Sequence, residues 1–132
     1  MTEYVVDTVA FVRHLQDKLS SRIGRIFDDA EGGKNHLILP EIALAEFVYI
    51  SLKGRIRATR PEMKVREVLH NVFASDAFTV SEMSPAAWET FLELPITELH
   101  DRMIAAEAVS RRVSLISNDP AFEGIPGLTR IW

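Results

Sequence analysis

The chain has 132 residues, 47% of them hydrophobic and 26% charged, with a formal net charge of −4 and no cysteine. This length suits one domain with a single core, and the missing cysteines exclude disulfides, iron–sulfur clusters and thiolate zinc sites while being compatible with a reducing cytoplasm. No apolar run approaches the ~18 residues a membrane span needs, and Glu3 and Asp7 near the start leave no basic leader, so a cytoplasmic protein without signal peptide or membrane contact is expected.

In chain order, residues 3–7 read as a first short strand, ending on Asp7. Phe11, Val12, Leu15, Leu19, Ile23, Ile26 and Phe27 recur at three- and four-residue spacing and predict one long amphipathic helix. Glu31-Gly32-Gly33-Lys34-Asn35 breaks it, and His36–Leu39 is the next strand. Pro40 starts a helix over 41–52 that is apolar nearly all round and therefore expected to be buried, with Gly54 after its end. Pro61 opens a helix to about Ala74, with Val65, Val68, Leu69 and Val72 on one face. Phe78–Val80 is a strand. Ser84-Pro85 is an N-cap and first-turn proline for a helix reaching about Leu94. Pro95 ends that helix, Thr97 is placed to cap another running to about Arg111, and Val113–Ser117 and Leu128–Trp132 complete the strands. Strands alternating with helices imply an α/β fold with a parallel sheet covered on both faces, in one domain over 1–132. In such sheets ligands bind outside the carboxyl ends of the strands.

Four carboxylates stand in apolar, element-forming surroundings: Asp7 after Tyr4-Val5-Val6, Glu46 inside Ile42–Ile50, Asp101 before Met103–Ala106, and Asp119 after Leu115–Asn118. An ionised carboxylate is costly to bury unless paired or hydrogen-bonded, and Arg102 is the one obvious cation near them in sequence. Each acid except Glu46 has a structural explanation. Asp7 and Asp119-Pro120 suit N-caps, and Asp101 suits a first helical turn, where Glu98 competes with it. Glu46, in mid-helix, has no capping role. Gathered acids without bases point to a bound cation, and hard oxygen donors favour Mg²⁺ or Mn²⁺ and chemistry on phosphate esters. Thr8, Ser117 and Asn118 adjoin candidate ligands and are placed to orient waters or carboxylates. His100 adjoins Asp101 and is a candidate substrate contact, whereas His14 and His70 read as surface or half-buried residues.

Lys53, Arg55, Arg57, Arg60, Lys64 and Arg66 stand against only Glu62 and Glu67, a local basic stretch in an acidic chain. It reads either as a solvated surface or as a phosphate-steering patch beside the acidic site.

At these residues the sequence resembles the PIN-domain nucleases, and within them the VapC-type toxins of toxin–antitoxin pairs. Tyr-Val-Val-Asp-Thr (4–8) is similar to the family's opening strand with its first acid, and Leu39–Phe47 to the segment whose last acid is Glu46. Leu99–Ala108 resembles the segment carrying Asp101, Leu115–Asp119 the strand end bearing Asp119, and Leu128–Trp132 the short last strand. The resemblance implies a PIN-like three-layer α/β/α sandwich with a short, mainly parallel sheet. It also implies a Mg²⁺- or Mn²⁺-dependent endoribonuclease with Asp7, Glu46, Asp101 and Asp119 as catalytic metal ligands, hydrolysing phosphodiesters to 5′-phosphate and 3′-hydroxyl ends. Further implications are tRNA or ribosomal RNA as target class, a homodimer, and a VapB-like antitoxin whose tail packs over the site. Arg102, His100, Lys53, Arg55 and Arg57 are candidate contacts for substrate or antitoxin. Val9 and Ser117-Asn118 depart from the family pattern, which bears on substrate contacts. The alternatives are a catalytically weak PIN module that binds RNA or serves assembly, and a receiver-like signalling domain. The receiver reading lacks its late lysine, since Lys64 is the last in the chain.

Overall fold

The computed structural model describes residues 1–54 and 65–132. Among them are five strands, β1 (Thr2–Val6), β2 (Asn35–Pro40), β3 (Phe78–Ser81), β4 (Ser114–Ile116) and β5 (Arg130–Ile131). Six helices accompany them: α1 (Thr8–Leu15), α2 (Ser21–Glu31), α3 (Glu41–Leu52), α4 (Val65–Ala74), α5 (Pro85–Glu93) and α6 (Leu99–Arg111). The sheet has the order β3-β2-β1-β4-β5 and every pairing is parallel. This is the PIN-like α/β/α sandwich. Val5, Val6, Leu37, Ile38, Leu39, Leu115 and Ile116 are all buried. Continuous rather than alternating burial is what a parallel sheet covered on both faces requires.

The single long helix expected over residues 11–27 is two helices. α1 ends at Gln16, Asp17 takes a left-handed conformation (φ 53°), and Ser20 caps α2 by accepting a hydrogen bond from the Ile23 amide. The apolar spacing runs on across the break because both helices lay their apolar sides on one core, through Phe11, Ile23 and Phe27. Phe11 meets Phe47 and Phe78 edge-to-face, at 5.4 and 5.9 Å between ring centroids.

Three further expectations change. In α3 only Ala43, Leu44 and Phe47 are buried, while Tyr49 is 61% and Leu52 76% exposed, so its apolar composition does not mean full burial. The cap of α6 is Glu98, not Thr97: its carboxylate accepts from the Asp101 amide at 2.6 Å. The last strand shrinks to Arg130–Ile131. The start of the fourth helix at Pro61 lies outside the described residues, and α4 is seen from Val65. Ser84 caps α5, accepting from the Ala87 amide, with Pro85 in the first turn as the sequence predicts.

Arg102 is committed to holding the fold together and does not neutralise the acids. Its guanidinium donates to the carbonyls of Phe91 (2.6 Å), Leu92 (3.0 Å) and Ile96 (3.3 Å) and lies 4.8 Å from the centre of the Phe91 ring. These bonds satisfy carbonyls freed at the end of α5 and in the connection to α6. Arg102→Met keeps much of the apolar stem but leaves those carbonyls without donors. The expected cost is about 1–3 kcal/mol, read as a lower urea midpoint, and an unchanged midpoint would show that the clamp contributes nothing.

Candidate active site

The strand register sets the site. Val6 pairs with Ile116 in adjacent parallel strands, so the residues that follow, Asp7 and Ser117, leave the same carboxyl edge side by side. The Asp7 amide still bonds the Ile116 carbonyl, at 3.2 Å. Asp7 is buried and caps α1, one carboxylate oxygen accepting from the Ala10 amide at 2.8 Å. Capping occupies only part of that carboxylate, so the structural and functional readings of Asp7 coexist. Ser117 is fully buried. Its hydroxyl accepts from the Asp119 amide at 3.0 Å and stands near enough to the Asp7 carboxylate to favour its charged form. Asp119 lies two residues further on and caps a short 3-10 turn at Pro120–Phe122, accepting from the Ala121 amide. Asn118 is half-buried between them.

α3 and α6 bring the other two acids. Glu46 is half-buried, and one of its oxygens accepts from Thr8 Oγ1 at 2.8 Å, which links α3 to the start of α1. Asp101 stands in the first turn of α6. His100 lies between two carboxylates, its Nδ1 being 3.1 Å from Glu98 Oε1 and 3.4 Å from Glu46 Oε2.

The four acids sense one another. Burial pushes the Asp7 carboxyl up to about 6, opposed by its bonds from Ser117 and Ala10, with Asp119 and Glu46 adding to the rise. Burial likewise raises Asp101 to about 6, helped by Glu98, Asp119, Glu46 and Asp7. Among the described residues no lysine or arginine pairs with any of the four; the one ion-pair contact is His100 with Glu46. Also among the described residues, no three acid or imidazole groups stand close enough together to hold an ion. The donor set nevertheless suits a hard divalent cation, being oxygen only and surrounded by unneutralised negative charge.

Of the remaining candidates, Lys53 ends α3 with its ammonium 4.5 Å from the centre of the Tyr49 ring. Arg55 and Arg57, with Arg60 and Lys64, lie outside the described residues. Val9 is partly exposed beside the site, at 44%. Sequence reasoning missed two acids in new roles. Glu98 is a cap and a partner of His100. Glu107 is buried at 2%, bonded by the Ser81 hydroxyl and raised by that burial. The clue to Glu107 was an acid within the small apolar run Ile104-Ala105-Ala106 and Ala108-Val109.

Fold and site together define an α/β domain with acidic side chains brought to the carboxyl edge of a parallel sheet. The PIN-domain family model matches residues 4–128. The chain belongs to the PIN-domain family, a family of nucleases. Two solved structures are similar over nearly the whole chain. One is VapBC2 from Rickettsia felis bound to a DNA fragment from their promoter, at 20% identity and a TM-score of 0.76, covering 99% of each chain. The other is DNA-bound VapBC from Salmonella typhimurium, at 21% identity and a TM-score of 0.71, covering 99% of this chain and 98% of that one. A comparison with curated proteins gave no match. No described helix is long and apolar enough to cross a membrane.

Proposed function

We propose that the chain is the toxin of a VapBC-type pair, an endoribonuclease that hydrolyses RNA phosphodiester bonds with activated water and depends on Mg²⁺ or Mn²⁺. The observation that carries this reading is the proximity of Asp7, Glu46, Asp101 and Asp119, brought from four separate segments, with no lysine or arginine paired to them among the described residues.

Asp7, Glu46, Asp101 and Asp119 hold the ion. When bound, it supplies a water of lowered pKa and offsets charge on the scissile phosphate. Thr8 fixes one oxygen of Glu46, and Ser117 fixes Asp7 against the loop bearing Asp119. Asn118, beside this loop, orients water or carboxylate in this reading, while Lys53, at the end of α3, contacts substrate or antitoxin, as do Arg55 and Arg57. The protein acts in the cytoplasm on RNA of the tRNA or ribosomal class.

Two surfaces suit the partners. A cleft of about 460 Å³ lined by His14, Leu15, Phe27, Asp28 and Glu31 adjoins a smaller one lined by Phe11, Val68 and Phe78. Their lining is mixed, with Leu15 and Phe27 beside Asp28 and Glu31, and they receive part of a VapB-like antitoxin whose tail packs over the acidic site. Exposed Tyr49 and Leu52 on α3, with Trp88 and Leu92 on α5, offer apolar surface to a second copy in a homodimer.

The test is incubation of purified, antitoxin-free protein with total cellular RNA in Mg²⁺, in Mn²⁺ and in EDTA. Discrete fragments that disappear in EDTA are expected. Folded protein that binds metal and RNA but cuts neither tRNA nor ribosomal RNA would favour a PIN module without turnover.

A further inference from the structure

We infer that Glu98 and His100 are positioning residues for Glu46, holding one oxygen of its carboxylate while Thr8 holds the other. This rests on the reading of Glu46 as a metal ligand and adds two residues to it.

The contacts form a continuous line. Glu98 Oε2 accepts from the Asp101 amide at 2.6 Å, and Glu98 Oε1 lies 3.1 Å from His100 Nδ1. The same Nδ1 lies 3.4 Å from Glu46 Oε2, and Glu46 Oε1 accepts from Thr8 Oγ1 at 2.8 Å. The line therefore joins the N-terminus of α6, the middle of α3 and the start of α1. Those are the places that carry Asp101, Glu46 and, next to Thr8, Asp7.

Chemistry fixes what His100 does there. A ring nitrogen facing two carboxylates is held as N–H, because a bare lone pair would be repelled by both oxygens. The ring therefore carries a proton on Nδ1, the nitrogen that both carboxylates approach. Glu98, fixed by the bond it accepts from the Asp101 amide, anchors the ring at the start of α6. A free glutamate side chain loses rotamer freedom when it is fixed. Held at both oxygens beforehand, Glu46 loses less when an ion arrives. Outer partners of this kind are worth roughly 10–100-fold in metal affinity or activity.

The test uses the full chain and two readouts. Nitrogen-15 NMR of the His100 ring at pH 8, assigned by its loss in His100→Asn, is expected to show the Nδ1–H tautomer. In Glu98→Gln the side-chain oxygen still caps Asp101 but an NH₂ group is left for the ring, so that preference should be lost. Mn²⁺ binding, followed by electron paramagnetic resonance, is expected to weaken about tenfold in His100→Ala. It should recover in His100→Asn, whose amide N–H replaces Nδ1–H. An Nε2–H tautomer in the wild type, or His100→Ala binding Mn²⁺ as tightly as the wild type, would overturn the proposal. A wild type that binds no Mn²⁺ overturns the metal reading instead, and the tautomer then decides alone for or against the pairing.

Discussion

Asp7→Asn is expected to abolish metal-dependent RNA cleavage while making the metal-free protein more stable. The two effects share one cause. Asp7 is buried beside Asp119 and Glu46, and its carboxyl is pushed up to about 6. At neutral pH the folded chain therefore carries a charge that the unfolded chain accommodates more easily. Asparagine keeps the oxygen that accepts from the Ala10 amide, so α1 retains its cap. The charge that attracts a cation is gone. The expected gain in stability is roughly 1–3 kcal/mol at pH 7.5, a rise of several degrees in Tm. The loss of cleavage should exceed the ~10–100-fold typical of an outer partner. Calorimetry and an RNA cleavage assay on one preparation check both halves. A variant less stable than the wild type would mean that Asp7 is chiefly a structural cap.

Cleavage is also expected to fall steeply with acidification, by roughly 10–100-fold between pH 7.5 and pH 5 at subsaturating Mg²⁺. Asp7 and Asp101 both titrate near 6, so at pH 5 each is about nine-tenths protonated, and a protonated carboxyl is a poor ligand. Protons and metal compete, so saturating Mg²⁺ should move the midpoint to lower pH. For stability the sign reverses. The folded metal-free state binds these protons more tightly than the unfolded chain. The Asp7 contribution is therefore most favourable below the unfolded pKa near 4 and is lost as pH rises through about 6. Added Mn²⁺ should accordingly raise Tm more at pH 7.5 than at pH 5. Cleavage that is flat across this range at low metal would remove both acids from the ion's coordination.

Much of this was legible in the residues themselves. Asp7 and Asp119 follow short apolar strands, so a parallel sheet alone places them at one edge. Glu46 could be singled out because a mid-helix acid between apolar neighbours has no cap to make. What the spacing concealed was set by single backbone choices and by tertiary contacts. Asp17 takes a left-handed turn and Ser20 starts a new helix, yet the periodicity of Phe11 through Phe27 runs unbroken across the turn. Arg102 looked like a counter-ion because it adjoins Asp101 in sequence, but one step along a helix points a side chain elsewhere, here onto three carbonyls. Glu98 was visible as a neighbour of Asp101, though its partnership with His100 needed the ring's position. The apolar length of α3 could not reveal that Tyr49 and Leu52 face outward.

The central claim is hydrolysis of RNA by water activated at the four acids. The most direct measurement of it is the chemistry of the cut ends, made on fragments released by wild type and by Asp7→Asn in Mg²⁺, Mn²⁺ and EDTA. Water attack leaves 5′-phosphates that ligate without prior phosphorylation, appearing only with metal and only with the wild type. Fragments ending in 5′-hydroxyl and cyclic phosphate, or cleavage that persists in EDTA and in Asp7→Asn, would contradict it.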